Sequence, residues 1–273
     1  MCEVLGVSTS GYYHWKKELK DCLKTSELDV QIKDIFKASG ETYGSPRVFK
    51  DLRKAGVEVS ESTVARRMRA LKLTPIVKRR FKVTTDSKHN KVVSPNILNR
   101  EFYPTELGRV WVSDITYIRV GDYFVYLTTV IDLADRMVIG WNLSDNMTDE
   151  DTIIAAFKRA LENRKIKPGL IFHSDRGSQY VSDAFRELLA DNYCIQSMSR
   201  KGNCWDNAVA ESFFKTIKTE SLNRYKFTNI NQVYSTIFNY IDGWYNTKRI
   251  HSTLGDMSPR EMFLKLNANK SVA

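Results

Sequence analysis

A chain of 273 residues with 42% hydrophobic content and a formal net charge of +10 can build one large domain or roughly two to three smaller ones. No apolar run approaches the ~18 residues of a membrane span, and the first residues lack a signal-peptide core. Cys2, Cys22, Cys194 and Cys204 form no Cys-x-x-Cys pair and no zinc-type spacing with His. A membrane protein, a disulfide scaffold and a zinc module are thereby set aside. The expectation is a soluble cytoplasmic protein with reduced thiols and no membrane partner.

The charge is unevenly spread. Residues 1–105 hold 21 Lys and Arg against 12 Asp and Glu, residues 106–225 hold 15 against 17, and residues 226–273 hold 6 against 3. A basic N-terminal part joined to a slightly acidic central part fits a DNA-gripping module attached to a cation-binding one. A solvated basic surface is the plainer reading of the same charge.

Residues 1–23 carry Gly11-Tyr12-Tyr13-His14-Trp15 followed by lysines, the end of a helix-turn-helix-like unit or a short docking segment. Ile32, Ile35 and Phe36 then recur at helical spacing. Ser45, as N-cap, and Pro46, in the first turn, open a second helix that Gly56 ends. Ser60 caps a third helix over about 61–71, with Val64, Met68 and Leu71 inward and Arg66, Arg67 and Arg69 mainly outward. Three short helices ending on an arginine-rich one predict a helix-turn-helix-like DNA-binding domain over 24–75, although a small bundle with exposed arginines would look the same. Periodicity vanishes from Lys72 to Arg100. Lys78, Arg79 and Arg80 fall in this stretch, and 76–104 reads as a basic linker suited to lying along phosphates or simply to staying solvated.

From Arg109 the pattern becomes β-rich. Strands are expected over 109–120 and 123–131 around the hairpin signal Gly121-Asp122, and a third over 137–143. A helix over 148–163, a strand over 170–173, a helix over 182–191, a strand over 195–198 and a helix over 207–219 complete the order. The pattern β-β-β-α-β-α-β-α predicts an α/β domain over 105–225, a mixed five-stranded sheet flanked by helices. Residues 226–273 form a helical extension.

Three acids stand out within it. Asp114 lies mid-strand on the face of Val112 and Thr116. Asp175 lies just past the end of the fourth strand, where open α/β sheets gather their sites. Glu211 shares a helix stripe with Asn207, Lys215 and Lys218 at i, i+4, i+8 and i+11. Carboxylate clusters suit hard divalent cations such as Mg²⁺ or Mn²⁺, and in a basic chain the natural substrate of such a site is a phosphodiester. Taken singly, each acid could equally be a turn former or a cap. Asp132, Asp135 and Arg136 shape the turn before the third strand, and Asp132 is placed where it could approach the cations. His173 is either a partner near Asp175 or a satisfied structural histidine. The loop Asn203 to Asn207 is a candidate DNA contact.

The strings Trp111-Val112-Ser113-Asp114-Ile115-Thr116-Tyr117, His173-Ser174-Asp175-Arg176-Gly177-Ser178-Gln179-Tyr180 and Asn207-Ala208-Val209-Ala210-Glu211-Ser212-Phe213-Phe214 resemble DDE transposases of bacterial insertion sequences. More narrowly, they resemble the second-frame (OrfB) product of the two-frame IS-three family. The 35 residues between Asp175 and Glu211 resemble the spacing in retroviral integrases. Tyr245-Asn246, Arg249, His251, Leu254, Ser258-Pro259 and Phe263 resemble the family's C-terminal signature, although Arg249 and His251 could simply pack a terminal helix. Thr42-Tyr43-Gly44-Ser45-Pro46-Arg47 resembles its helix-turn-helix-like segment.

The resemblance implies an RNase H-like core in which Asp114, Asp175 and Glu211 are catalytic and bind two Mg²⁺ (or Mn²⁺) ions with DNA bound. It implies DNA strand cleavage followed by strand transfer. It further implies contacts to terminal phosphates from Lys215 and Lys218, double-stranded DNA partners (terminal inverted repeats and target), oligomerisation on DNA, a first-frame OrfA protein or fusion, and a nucleoid-associated place in a bacterial cytoplasm. An RNase H-type nuclease and an inert DNA-binding regulator are the rival readings. The N-terminal helices weigh against the first and the intact acids against the second.

Overall fold

The computed structural model describes residues 6, 8–23, 27–76 and 93–270. They fall in two compact units, Met1–Val77 and Lys78–Ala273.

The first unit holds α1 (Thr9–Leu23), α2 (Glu27–Ala38), α3 (Ser45–Lys54) and α4 (Glu61–Ala70). Its core is made by pairs spaced one helical turn apart: Ile32 and Phe36, Val48 and Leu52, Val64 and Met68, with Tyr43 between α2 and α3 in sequence, all buried. Ser60 caps α4, its Oγ accepting from the Thr63 N–H at 3.2 Å. The expected cap at Ser45 is different. Gly44 holds the cap position in extended backbone with no side-chain cap, and Ser45 is already helical. Pro46 then costs nothing, because first-turn N–H groups have no helical acceptor. Lys78, Arg79 and Arg80 lie outside the described residues.

The second unit is built on five strands: β1 (Val110–Val120), β2 (Tyr123–Asp132), β3 (Val138–Ser144), β4 (Ile171–Ser174) and β5 (Ile195–Met198), in the order β3-β2-β1-β4-β5. β1 to β3 run antiparallel, and β4 and β5 join parallel to β1. Gly121 supplies the positive φ (+53°) that the β1–β2 hairpin requires. The first, third and fourth strands each begin one residue later than expected. The helix expected from Thr148 begins instead with a wide turn at Glu150–Ile154 and continues as α5 (Ala155–Asn163).

Alternation along β1 feeds two cores. Trp111 faces α5 and α6 (Asp183–Asp191), where Phe157 meets Trp111, Phe172 and Phe185 edge-to-face. Val112, Ile118 and Val120 face α7 (Ala208–Glu220) and α8 (Ile230–Tyr240). Two contacts fasten the chain's end. Asn246 pairs through its carboxamide with both the N–H and C=O of Val138, each at 2.9 Å. Arg249 forms a buried fork with Glu220 (2.9 and 2.7 Å), which also accepts from the Tyr240 hydroxyl at 2.6 Å. Arg249 therefore ties the segment before α9 (Pro259–Lys270) to the end of α7.

Candidate active site

Asp114 sits on β1 and is partly buried, with its Oδ1 accepting the Ile115 N–H at 2.8 Å. Asp175 follows β4 directly, its Oδ1 accepting the Gly177 N–H at 2.9 Å. A side chain at Gly177 would begin 3.1 Å from that same oxygen, so glycine leaves the carboxylate room. Glu211 stands in the first turn of α7, partly exposed, because Ala210, Phe213, Phe214 and Ile217 commit the opposite stripe to the core. Asn207 fixes where that helix starts: its amide donates to the Ser113 carbonyl at 3.0 Å.

The three carboxylates feel one another. The Asp114 carboxyl is held well above the ordinary range, first by burial, then by repulsion from Asp175, and further by Glu211. The Ile115 N–H and Lys218 oppose the rise without cancelling it. Glu211 is raised by burial and by Asp175, against the pull of Lys215. Burial lowers the Lys218 ammonium while Asp114 supports its charge. Tyr180, fully buried with its hydroxyl 2.9 Å from Ser113 Oγ, is raised by burial and by both aspartates. The result is a cluster of acids beside the partly buried Lys218 ammonium. Among the described residues, however, no three His, Cys, Asp or Glu side chains are already drawn together as a metal cage.

The other predicted contacts divide. Lys215 is exposed, and Lys218 lies 5.2 Å from the centroid of the Tyr117 ring. Arg66 and Arg69 are exposed, but Arg67 turns back onto the buried Asp29 of α2 at 3.6 Å. Asn207 is 3% exposed, which makes it a tether and removes it from the surface a DNA strand could touch.

Asp132 is also corrected. It is fully buried and accepts from Gly108 N (2.8 Å), Ala134 N (3.0 Å), Trp111 Nε1 (3.3 Å) and Arg164 Nη1 (2.7 Å), so its oxygens are already occupied. His173 bonds Ser197 and Ser199, and burial pushes its pKa down to about 4. It is a neutral structural histidine.

Sequence reasoning missed the clamp on Asp206, which Arg100 and Arg200 hold at 2.8 Å and keep ionised far below the usual carboxylate range. The clamp leaves Trp205 beside it 69% exposed. Only the nearness of Arg200 in the chain could have signalled this arrangement.

The integrase core domain family matches residues 104–204 and, in a second form, 193–259, and an HTH-like domain matches 24–81. The "Insertion element IS600 uncharacterized 31 kDa protein" of Shigella sonnei is 41% identical over 261 residues, 95% of this chain and 96% of that one. "Transposase InsF for insertion sequence IS3A" of Escherichia coli (strain K12) is 36% identical over 265 residues, 96% of this chain and 92% of that one. The chain belongs to the IS3-family transposases. The transposase has the α/β architecture of an RNase H-like integrase core. A chain of the simian T-cell lymphotropic virus intasome, solved in complex with PP2A regulatory subunit B56 gamma, superposes with a TM-score of 0.50 at 13% identity. That match covers 78% of this chain and 73% of the other. At that identity the likeness is one of fold. No helix of the described residues is long and apolar enough to cross a membrane.

Proposed function

We propose that Asp114, Asp175 and Glu211 are the catalytic carboxylates of a DNA strand cleavage and strand transfer reaction at the ends of an insertion sequence. The observation that carries this reading is their mutual repulsion. Asp175 and Glu211 raise Asp114, and Asp175 raises Glu211; hard divalent cations are the partners that relieve such a set. Asp114, Asp175 and Glu211 would together hold two Mg²⁺ or Mn²⁺ ions. When bound, the cations supply Lewis acidity at phosphorus and offset charge on the attacking and departing oxygens.

The chain's own residues orient and exclude. Asp175 is set by the Gly177 N–H, and Glu211 is set by the Asn207 tether and the core stripe of α7. Lys215 and Lys218 steady the phosphates beside the break. Water cleaves at the element's end and leaves a 3′-hydroxyl. That hydroxyl then displaces a 3′-oxygen in target DNA, with no covalent protein intermediate.

In the same reading 24–75, with Arg66 and Arg69, grips double-stranded DNA, and 76–104 with Lys78, Arg79 and Arg80 tracks its backbone. The core lies over 105–225 and a helical extension over 226–273. Copies associate on DNA, and a first-frame OrfA protein or fusion supplies end recognition. The test is Mg²⁺-dependent nicking and joining of DNA carrying the element's ends. Asp114→Asn, Asp175→Asn and Glu211→Gln should each abolish both products while DNA binding persists. Unchanged activity in these variants sinks the assignment. Degradation without joining would favour the nuclease.

A further inference from the structure

Beyond Val112, β4 no longer pairs with β1. Contact on that edge resumes at Val120, which bridges Phe227. Between them lie roughly 20 Å of strand whose outer edge has no strand neighbour among the described residues. Asp114 stands at one end of this stretch, and α7 supplies Glu211 and Lys218 beside it.

Tyr117 lies in this stretch, and Phe124 stands beside it on β2. They lie on one face of the hairpin, since Phe124 pairs with Arg119, two residues from Tyr117. Their rings meet edge-to-face at 5.4 Å, yet they remain 42% and 46% exposed. The pair is flanked by cations. Lys218 Nζ stands 5.2 Å from the Tyr117 ring centroid while sharing the field of Asp114. Arg119 is exposed beside it, bonded to Gly121 O and loosely paired with Asp122 at 3.9 Å.

Lys218 therefore links the carboxylates to the aromatic pair. Any phosphate it draws in brings the neighbouring nucleotide to Tyr117. Aromatic faces with adjoining cations are how proteins hold unpaired bases without reading sequence.

We propose that Tyr117 and Phe124 form a stacking platform for an unpaired base of the DNA strand whose phosphate lies at Lys218. The proposal rests on the DNA-cleaving reading above and adds to it a requirement for local strand separation next to the scissile bond. Such separation would favour frayed or single-stranded ends over a closed duplex.

The experiment uses the full chain carrying Glu211→Gln, with Mg²⁺, and a short duplex ending in a single-stranded tail that carries 2-aminopurine. A blunt duplex of the same sequence is the control. Binding should quench the fluorescence of the tailed probe about two-fold or more. Tyr117→Leu should abolish that quench and weaken tailed-probe affinity roughly ten-fold, leaving blunt-duplex affinity within about two-fold. Tyr117→Phe should preserve both.

Binding of the tailed probe without quench, or a quench that survives Tyr117→Leu, overturns the platform and leaves the catalytic reading standing. A change of oligomeric state in Tyr117→Leu, seen by sedimentation without any change in quench, reassigns the patch to contact between copies and also overturns the platform. Failure of the chain to bind either duplex overturns both readings.

Discussion

The amide of Asn207 donates to the carbonyl of Ser113 at 3.0 Å, which joins the residue preceding Asp114 to the start of the helix that carries Glu211. This hydrogen bond between a strand and a helix, together with the apolar stripe of α7, sets the placement of two carboxylates ninety-odd residues apart in the chain.

If Asn207 positions the helix, its loss should affect turnover more than binding. Asn207→Leu keeps the volume and removes the donor. It is expected to lower the nicking rate about ten-fold or more, the cost of a small misplacement of reacting groups, with DNA affinity nearly unchanged. Single-turnover rates alongside anisotropy titrations measure the two separately. Equal losses in both would return Asn207 to the DNA-contacting role.

The raised Asp114 carboxyl makes a prediction for the metal-free protein. Its folded pKa lies above the unfolded value, so the native state binds the proton more tightly. Its contribution to stability is full below about pH 4 and is lost as pH rises through the folded value. Asp114→Asn should therefore raise Tm near neutral pH in the presence of a chelator, and the gain should shrink as pH falls toward 4. A variant less stable than the parent at neutral pH would show that the repulsion among the acids is not felt.

Arg249 and Glu220 form a buried pair. Arg249→Met leaves a carboxylate with only the Tyr240 hydroxyl among its partners described above. A loss of about 3–5 kcal/mol in denaturant unfolding is expected. Replacing both partners with apolar residues should restore much of it, because the second change removes the stranded charge.

Gly140 on β3 lies against α5 so closely that a Cβ there would overlap the Ala156 carbonyl oxygen and come within 2.7 Å of Ala160 N. Gly140→Ala should cost at least about 1–3 kcal/mol, read as a lower midpoint in chemical denaturation. Gly169, where a Cβ meets nothing within 4 Å, tests the opposite case. Its positive φ (+86°) makes a smaller, purely backbone penalty the expectation for Gly169→Ala.

Much of this was legible in the chain. Period-two and period-3.6 patterns placed all five strands and the covering helices as far as α7, since each pattern is set by local geometry, while α8 stayed inside an undivided helical extension. The positions of Asp114, Asp175 and Glu211 followed from the same patterns. What was not legible depended on partners distant in sequence. Asp132 looked available until Arg164 and three N–H groups were seen to saturate it. Asn207 shared a stripe with Glu211, but its carboxamide is drawn inward by Ser113. Arg67 sits among outward arginines and still finds Asp29. Helical spacing says which side a residue faces but not what waits there. The boundary placed after residue 225 shows the same limit. Composition changes there, yet Glu220 on one side and Arg249 on the other share a buried ion pair.

The Asn246 carboxamide has a consequence for how copies of the chain can meet. β3 is the outermost strand on its side of the sheet, and such strands are templates on which another chain can grow. By giving Val138 both an acceptor and a donor, Asn246 imitates a one-residue sixth strand. A neighbour could not start pairing there without first evicting it. The start of β3 is thereby closed to strand addition by a side chain and not by another strand.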